Sequence, residues 1–257
     1  MKTKLLLISF SLILIILIFI MYLLSNGLMR TKRDLPEIIN TGGTLNVVTE
    51  YNSTDYKINN DSVVDLQQNK LLQYVAQRSG LSVKLFFEKD LDIAIRKLEN
   101  NIYDVIAQNI PVTNESKMRL TFTVPVAQSK QVLVQRKLND ADSVLFISNQ
   151  LDLANQTIYI TKASPVIQRL KHLSEEIAEP INIKEIPGYT SEQLINSVAK
   201  KEIDYAVVDK DFILKNAASY PELDFSADIS FTQLQAWAVR KNAPVLLDSL
   251  NAWIKEF

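Results

Sequence analysis

The chain has 257 residues, enough for one domain of two lobes or for two small domains. It has no cysteine, which excludes disulfides, thiolate metal sites, a cysteine nucleophile and an acylated cysteine anchor. Net charge is −1, and about −4 once the charged residues of the first 43 positions are set aside. With no long run of either sign, nucleic acid is not an expected partner.

Lys2 and Lys4 precede Leu5–Leu24, a stretch whose only polar side chains are Ser9, Ser11 and Tyr22. Twenty residues at the helical rise cover about 30 Å, the thickness of a bilayer's hydrocarbon layer. Residues 1–28 therefore read as a transmembrane signal anchor. Ser25-Asn26-Gly27 also offers small residues for cleavage, so a removed leader stays open, with length favouring the anchor. Basic residues flank both sides nearly equally, and charge alone does not orient the segment. Residues 29–43, with Pro36 and Gly42-Gly43, read as a polar linker.

From Thr44 onward, β-rich runs alternate with helix-period segments. The predicted order is strand 45–49, a helix over 67–79 stopped by Gly80, strand 83–87, a helix capped by Asp90, and strand 104–107. After residue 150 the pattern restarts. Strand 157–161 precedes a helix with Ser164 as N-cap and Pro165 at its first position, followed by strand 181–186, helix 191–200 and strand 204–208. Such alternation argues for parallel α/β sheets. Leu98-x5-Asp104-Val-Ile-Ala recurs as Val198-x5-Asp204-Tyr-Ala-Val, so two similar lobes are the simplest architecture. The tail places Leu246, Leu250, Trp253, Ile254 and Phe257 on one helical face, which should pack on a lobe.

Catalytic signatures are weak. His172 is the only histidine, so no His-dependent triad or His metal cluster is available. Five glycines in the whole chain argue against a phosphate loop or dinucleotide fingerprint. No cofactor is expected.

An ordered set of motifs carries a resemblance: Val47-Val48-Thr49-Glu50-Tyr51, Asn101-Ile102-Tyr103-Asp104-Val105, Val112-Thr113-Asn114-Glu115, Phe122-Thr123-Val124-Pro125, Lys162-Ala163-Ser164 and Ile203–Asp209. In this order, from about residue 44 to 257, the chain resembles the family 3 bacterial solute-binding proteins. Within them it looks most like the binding domain of the membrane-bound lytic transglycosylase F family, on the Thr49–Tyr56 loop and on Asp204–Asp209 followed by Tyr220-Pro221-Glu222-Leu223. That family carries a further catalytic domain, which this chain, ending at Phe257, does not reach. The resemblance therefore implies a binding or sensing module and not an enzyme.

The implied fold is α/β, a two-lobed periplasmic-binding-protein-like fold (type II) with a hinge, preceded by one N-terminal transmembrane helix. Residues 44–131 and 231–257 would form lobe 1 and 132–230 lobe 2, with closure about the crossings trapping a ligand. The implied function is a membrane-tethered, extracytoplasmic domain for a small polar ligand, an amino acid derivative or a cell-wall peptide fragment. Its place would be the inner membrane with the soluble part in the periplasm, and its partner a transporter or a cell-wall enzyme. Three alternatives stand beside it: an importer's substrate-capture protein, a lytic transglycosylase-related remnant, and a scaffold that binds protein and no solute.

By resemblance, the ligand-binding residues are Tyr51, Tyr56, Asn109, Thr113, Ser164 and Asp209. The two tyrosines would offer an aromatic face; the alternative is packing within a surface loop. Asn109 and Thr113 would line a turn that donates to a carboxylate, or Thr113 would cap the helix after it. Ser164 would start a helix that receives an anion, or act as a plain cap. Asp209, at the carboxyl end of a strand, would pair with a ligand ammonium; the alternative is an exposed helix-starting Asp. Asp104 and Asp204 open their strands and are expected to serve turns. Where the family has a carboxylate-clamping Arg, this chain has Ser116, which cannot make that bidentate bond.

Overall fold

The computed structural model describes residues 12–21, 33–50, 58–59, 63–64, 70–138 and 144–257. The chain divides into two units, Met1–Arg33 and Asp34–Phe257. In the first, residues 12–21 form a helix, α1, with every side chain exposed. Among the described residues no helix is long and apolar enough to cross a membrane.

The second unit opens with α2 (Leu35–Asn40), β1 (Thr44–Thr49), a short antiparallel pair β2 (Ile58–Asn59) and β3 (Val63–Val64), α3 (Lys70–Ser79) and β4 (Ser82–Phe87). α4 (Leu91–Glu99), β5 (Val105–Pro111), α5 (Asn114–Arg119), β6 (Thr121–Phe122), β7 (Ala127–Ser129) and β8 (Gln131–Arg136) follow. Then come β9 (Thr157–Thr161), α6 (Val166–Glu176), β10 (Asn182–Ile186), α7 (Ser191–Ala199), β11 (Ala206–Asp209), α8 (Lys210–Asn216), β12 (Leu223–Asp224), β13 (Gln233–Val239) and α9 (Pro244–Glu256).

Apart from the β2–β3 pair, the strands build two sheets, one per lobe. In lobe 1 the order is β4-β1-β5-β13-β6, with β7 also on β13; in lobe 2 it is β10-β9-β11-β8-β12. β4, β1 and β5 run parallel, as do β10, β9 and β11, so both lobes repeat one αβ pattern. The sheets are mixed, not purely parallel. β13 and β8 each lie antiparallel to the strand beside them, because each belongs to chain that has crossed over from the other lobe. Between β7 and β8 only Lys130 separates a strand of one sheet from a strand of the other.

Alternation within strands gives every sheet two buried faces. In β1, Leu45 and Val47 join α3 and α9 through Leu72, Val75, Leu246, Leu250 and Ile254. Val48, on the opposite face, joins α4 through Ala94, Ile95 and Leu98. In β9, Ile158 and Ile160 pack on α6, while Tyr159 faces α7. α3 ends at Gly80, whose φ of +66° suits the left-handed turn that stops a helix.

Two readings of the sequence change here. Asp34 and Leu35–Asn40, expected within a linker, belong to the folded unit. Asp34 and Glu37 form a capping box for α2, and Leu35 and Ile38 are buried in the core. The strand expected to open at Asp104 instead runs from Val105 to Pro111, so Asn109 is a strand residue and not part of a turn. Asp104 precedes that strand, fully buried. It accepts the Asn46 N–H at 2.9 Å and pairs with the buried Arg240 at 3.2 Å. Asp204 pairs with Arg136 at 2.6 Å.

Candidate functional site

The carboxyl ends of β1, β5 and β11 face a cavity of about 420 Å³ between the lobes. Such strand ends are where open α/β sheets present ligand groups. Lobe 1 supplies Thr49, Glu50, Gln108 and Asn109; lobe 2 supplies Ser164, Ser191, Asp209 and Asp211. The buried Trp237, with Phe212 and Phe257, gives the wall an aromatic part. Three exposed lysines, Lys70, Lys89 and Lys215, also line it.

Asp209 ends β11 and caps α8, accepting the Asp211 N–H at 3.0 Å. Its carboxylate also accepts the Ser129 hydroxyl at 2.9 Å, the Gln131 amide at 3.3 Å and the Gln235 amide. Ser129 and Gln131 lie on either side of the first crossing and Gln235 on the return strand, so Asp209 ties lobe 2 to both crossings. It is partly buried rather than exposed, and burial raises its carboxyl above the usual range against the lowering effect of Gln235 and Ser129.

Glu50, at the end of β1, reaches across the cleft. Its carboxylate accepts the N–H of Ser191, the first residue of α7, at 2.5 Å, the Ser191 hydroxyl at 3.4 Å and the Gln108 amide at 3.4 Å. Burial raises this carboxyl as well, opposed by the hydrogen bonds from Ser191. Asp90 makes a similar bridge. It leaves the start of α4 without a side-chain cap and accepts the Gly188 N–H of lobe 2 at 3.0 Å.

Of the residues expected at the site, Asn109, Ser164 and Asp209 line the cavity. Thr113 is not brought to it. Its hydroxyl accepts the Ser116 N–H at 3.2 Å, and Ser116 Oγ accepts the Thr113 N–H at 3.0 Å and reaches the Pro111 carbonyl at 3.0 Å, so both side chains serve the cap of α5. Ser164 is not the N-cap of α6 either. That helix begins at Val166 after Pro165, and Ser164 Oγ receives only the long Val166 N–H contact of 3.4 Å. Tyr51 and Tyr56 lie outside the described residues. Sequence reasoning passed over Glu50, although it follows the carboxyl end of β1 much as Asp209, singled out by resemblance, ends β11. Ser129, Gln131 and Gln235 carried no local signal.

Two lobes of one repeated αβ pattern, joined by paired crossings and enclosing a polar cavity, define the two-lobed periplasmic-binding-protein-like class. Residues 46–257 match the family model of bacterial extracellular solute-binding proteins, family 3, and the chain belongs to that family. Among curated relatives, the membrane-bound lytic murein transglycosylase F of Desulfosudis oleivorans is 26% identical over 216 residues, covering 83% of this chain and 45% of that protein. A probable histidine-binding protein of Campylobacter jejuni is 24% identical over 195 residues, covering 76% of this chain and 71% of that one. The chain thus spans about half the length of the transglycosylase F relatives, and the match falls on their solute-binding part and not on a transglycosylase domain. Holo ArgBP from T. maritima superposes with a TM-score of 0.69 at 22% identity, over 86% of this chain and 92% of that one. An ancestral arginine-binding protein bound to arginine gives 0.69 at 22%, over 83% and 92%. The matched region is a binding fold.

Proposed function

We propose that the chain is a membrane-tethered, extracytoplasmic receptor that closes its two lobes around a small polar, amine-bearing solute. The observation that carries this reading is a pair of partly buried carboxylates, Glu50 from lobe 1 and Asp209 from lobe 2, lining one interlobe cavity. Each is hydrogen-bonded to neutral donors, and neither pairs with Lys or Arg among the described residues. A ligand ammonium entering between them would offset the cost of that burial. Asn109 and Ser164 add polar contacts from either lobe, and Tyr51 and Tyr56 an aromatic face.

Residues 1–28 serve as the tether in this reading, holding the domain at the outer face of the inner membrane in the periplasm. The likeness to transglycosylase F supports a role in cell-wall sensing, with an amino acid derivative or a cell-wall peptide fragment as ligand and a cell-wall enzyme or transporter as partner. Calorimetric titration of the full-length chain with amino acids, small amines, dipeptides and muropeptides tests the proposal. Saturable binding by one class that vanishes in Asp209→Ala supports it; silence across the panel removes solute capture of these classes.

A further inference from the structure

Among the described residues, Asn109 and Ser164 are neutral side-chain donors that line the interlobe cavity, while several backbone donors near it are already engaged. At the start of α6, the Ala163 N–H donates to Glu185 at 2.7 Å and the Ser164 N–H to the Thr161 carbonyl at 3.2 Å. Pro165 has no N–H, and the Ile167 N–H turns back to the Ser164 carbonyl at 3.2 Å. At this helix start the Val166 N–H keeps only a 3.4 Å contact to Ser164 Oγ, while the donors beside it are engaged by the chain's own atoms. At α7 the Ser191 N–H is held by Glu50. On the lobe 1 side, Ser116 is consumed in its own cap, and Arg119 turns to Glu99 at 2.8 Å and Asp92 at 2.7 Å. No arginine lines the cavity among the described residues, and the lysines that do are exposed, where hydration and salt weaken an ion pair. Acceptors, by contrast, are plentiful. An acid group on a ligand would lose its hydration, find the weakly held Val166 N–H at the start of α6 but the Ser191 N–H of α7 already taken, and stand near Glu50 and Asp209.

We infer that the cavity selects a small amine or guanidine cation carrying no carboxylate, with Glu50 and Glu185 holding the donors that a ligand's acid group would need. This narrows the reading of the cleft as a site for an amine-bearing solute, and it rests on that reading.

Matched pairs that differ only in the α-carboxylate separate the two. The full-length chain is titrated by calorimetry with putrescine and ornithine, cadaverine and lysine, and agmatine and arginine. The decarboxylated member of at least one pair should bind roughly tenfold or more tightly than its amino acid. An amino acid that binds as tightly as its amine overturns the inference and leaves solute binding standing. If no member of any pair binds while a dipeptide or muropeptide does, the inference falls and the amine-bearing reading stands; silence across the whole panel removes both. Glu185→Ala, which frees the Ala163 N–H and leaves Glu50 and Asp209 in place, should narrow the discrimination within a binding pair. Unchanged discrimination counts against the inference.

Discussion

The carboxylate of Glu50, on lobe 1, accepts the backbone N–H of Ser191, on lobe 2, at 2.5 Å. A second bond of the same kind, Gly188 N–H to Asp90 at 3.0 Å, lies beside it on the same approach to α7. Both acids come from one lobe and both amides from the other, so the pair acts as a clasp that exists only when the lobes are together.

Removing the clasp should open the cleft. Charge-assisted hydrogen bonds contribute about 1.5–3 kcal/mol each, so Glu50→Ala should shift the closed-to-open ratio roughly tenfold or more. Spin labels at Met118→Cys and Glu175→Cys, exposed positions on α5 and α6 of a chain without native cysteine, report this as longer distances. An unchanged distance distribution would show that the clasp does not govern closure.

Asp209→Ala removes the cap of α8 and the acceptor shared by Ser129, Gln131 and Gln235. Losing the cap should cost about 1 kcal/mol of stability, read from urea unfolding. Ligand affinity should fall by far more than that cost implies. Equal losses in the two measurements would make Asp209 a structural residue alone.

Glu50 and Asp209 are both raised above their ordinary values by burial, so the folded state binds their protons more tightly than the unfolded state does. Their protonated forms favour folding. That contribution is full below the unfolded values, near 4.5 and 3.8, and is lost as pH rises through the folded values. Glu50→Gln should therefore flatten the stability profile on this limb, measured by denaturant unfolding across pH. A bound cation reverses the sense for the ligand, and affinity should weaken as pH falls and the carboxyls protonate.

Asp104 and Arg240 form a buried ion pair at 3.2 Å that also ties β1 through the Asn46 N–H. Truncating one partner strands the other charge in the core, so Asp104→Ala should destabilise lobe 1 by about 3–5 kcal/mol. Thermal unfolding measures it; a loss below about 1 kcal/mol would mean that water reaches Arg240.

Asp34 caps two helices at once. Its carboxylate accepts the Leu35 N–H of α2 at 2.8 Å and the Val245 and Leu246 N–H groups of α9 at 3.1 and 2.7 Å. Asp34→Ala should cost about 2 kcal/mol, roughly two caps' worth. A variant beginning after Asn40 should lose at least as much, by giving up buried Leu35 and Ile38 as well.

Much of the architecture was legible in the chain itself. The alternation of Leu45, Val47 and Val48 and the helical spacing of Leu72 with Val75 encode local geometry, and local geometry depends on neighbours a few residues away. The repeat of Leu98–Ala107 in Val198–Val207 exposed the two lobes for the same reason. Asp209 stood out through the family resemblance, which its place at the carboxyl end of a parallel strand supports.

What only the tertiary structure decided were contacts between groups far apart in sequence. Asp90 carries every local mark of a helix cap, yet its carboxylate goes to Gly188, since the bond across the cleft replaces the one along its own helix. Thr113 reads as lining a ligand turn or capping the helix after it, and it is the local cap, made with Ser116, that forms. Residues 34–40 read as part of a spacer until α9 arrives to bury Leu35 and Ile38. For Asp90, as for Asp34 at the start of α9, a polar group takes whichever partner burial brings within hydrogen-bond reach, and a linear pattern holds no record of which distant residue that will be.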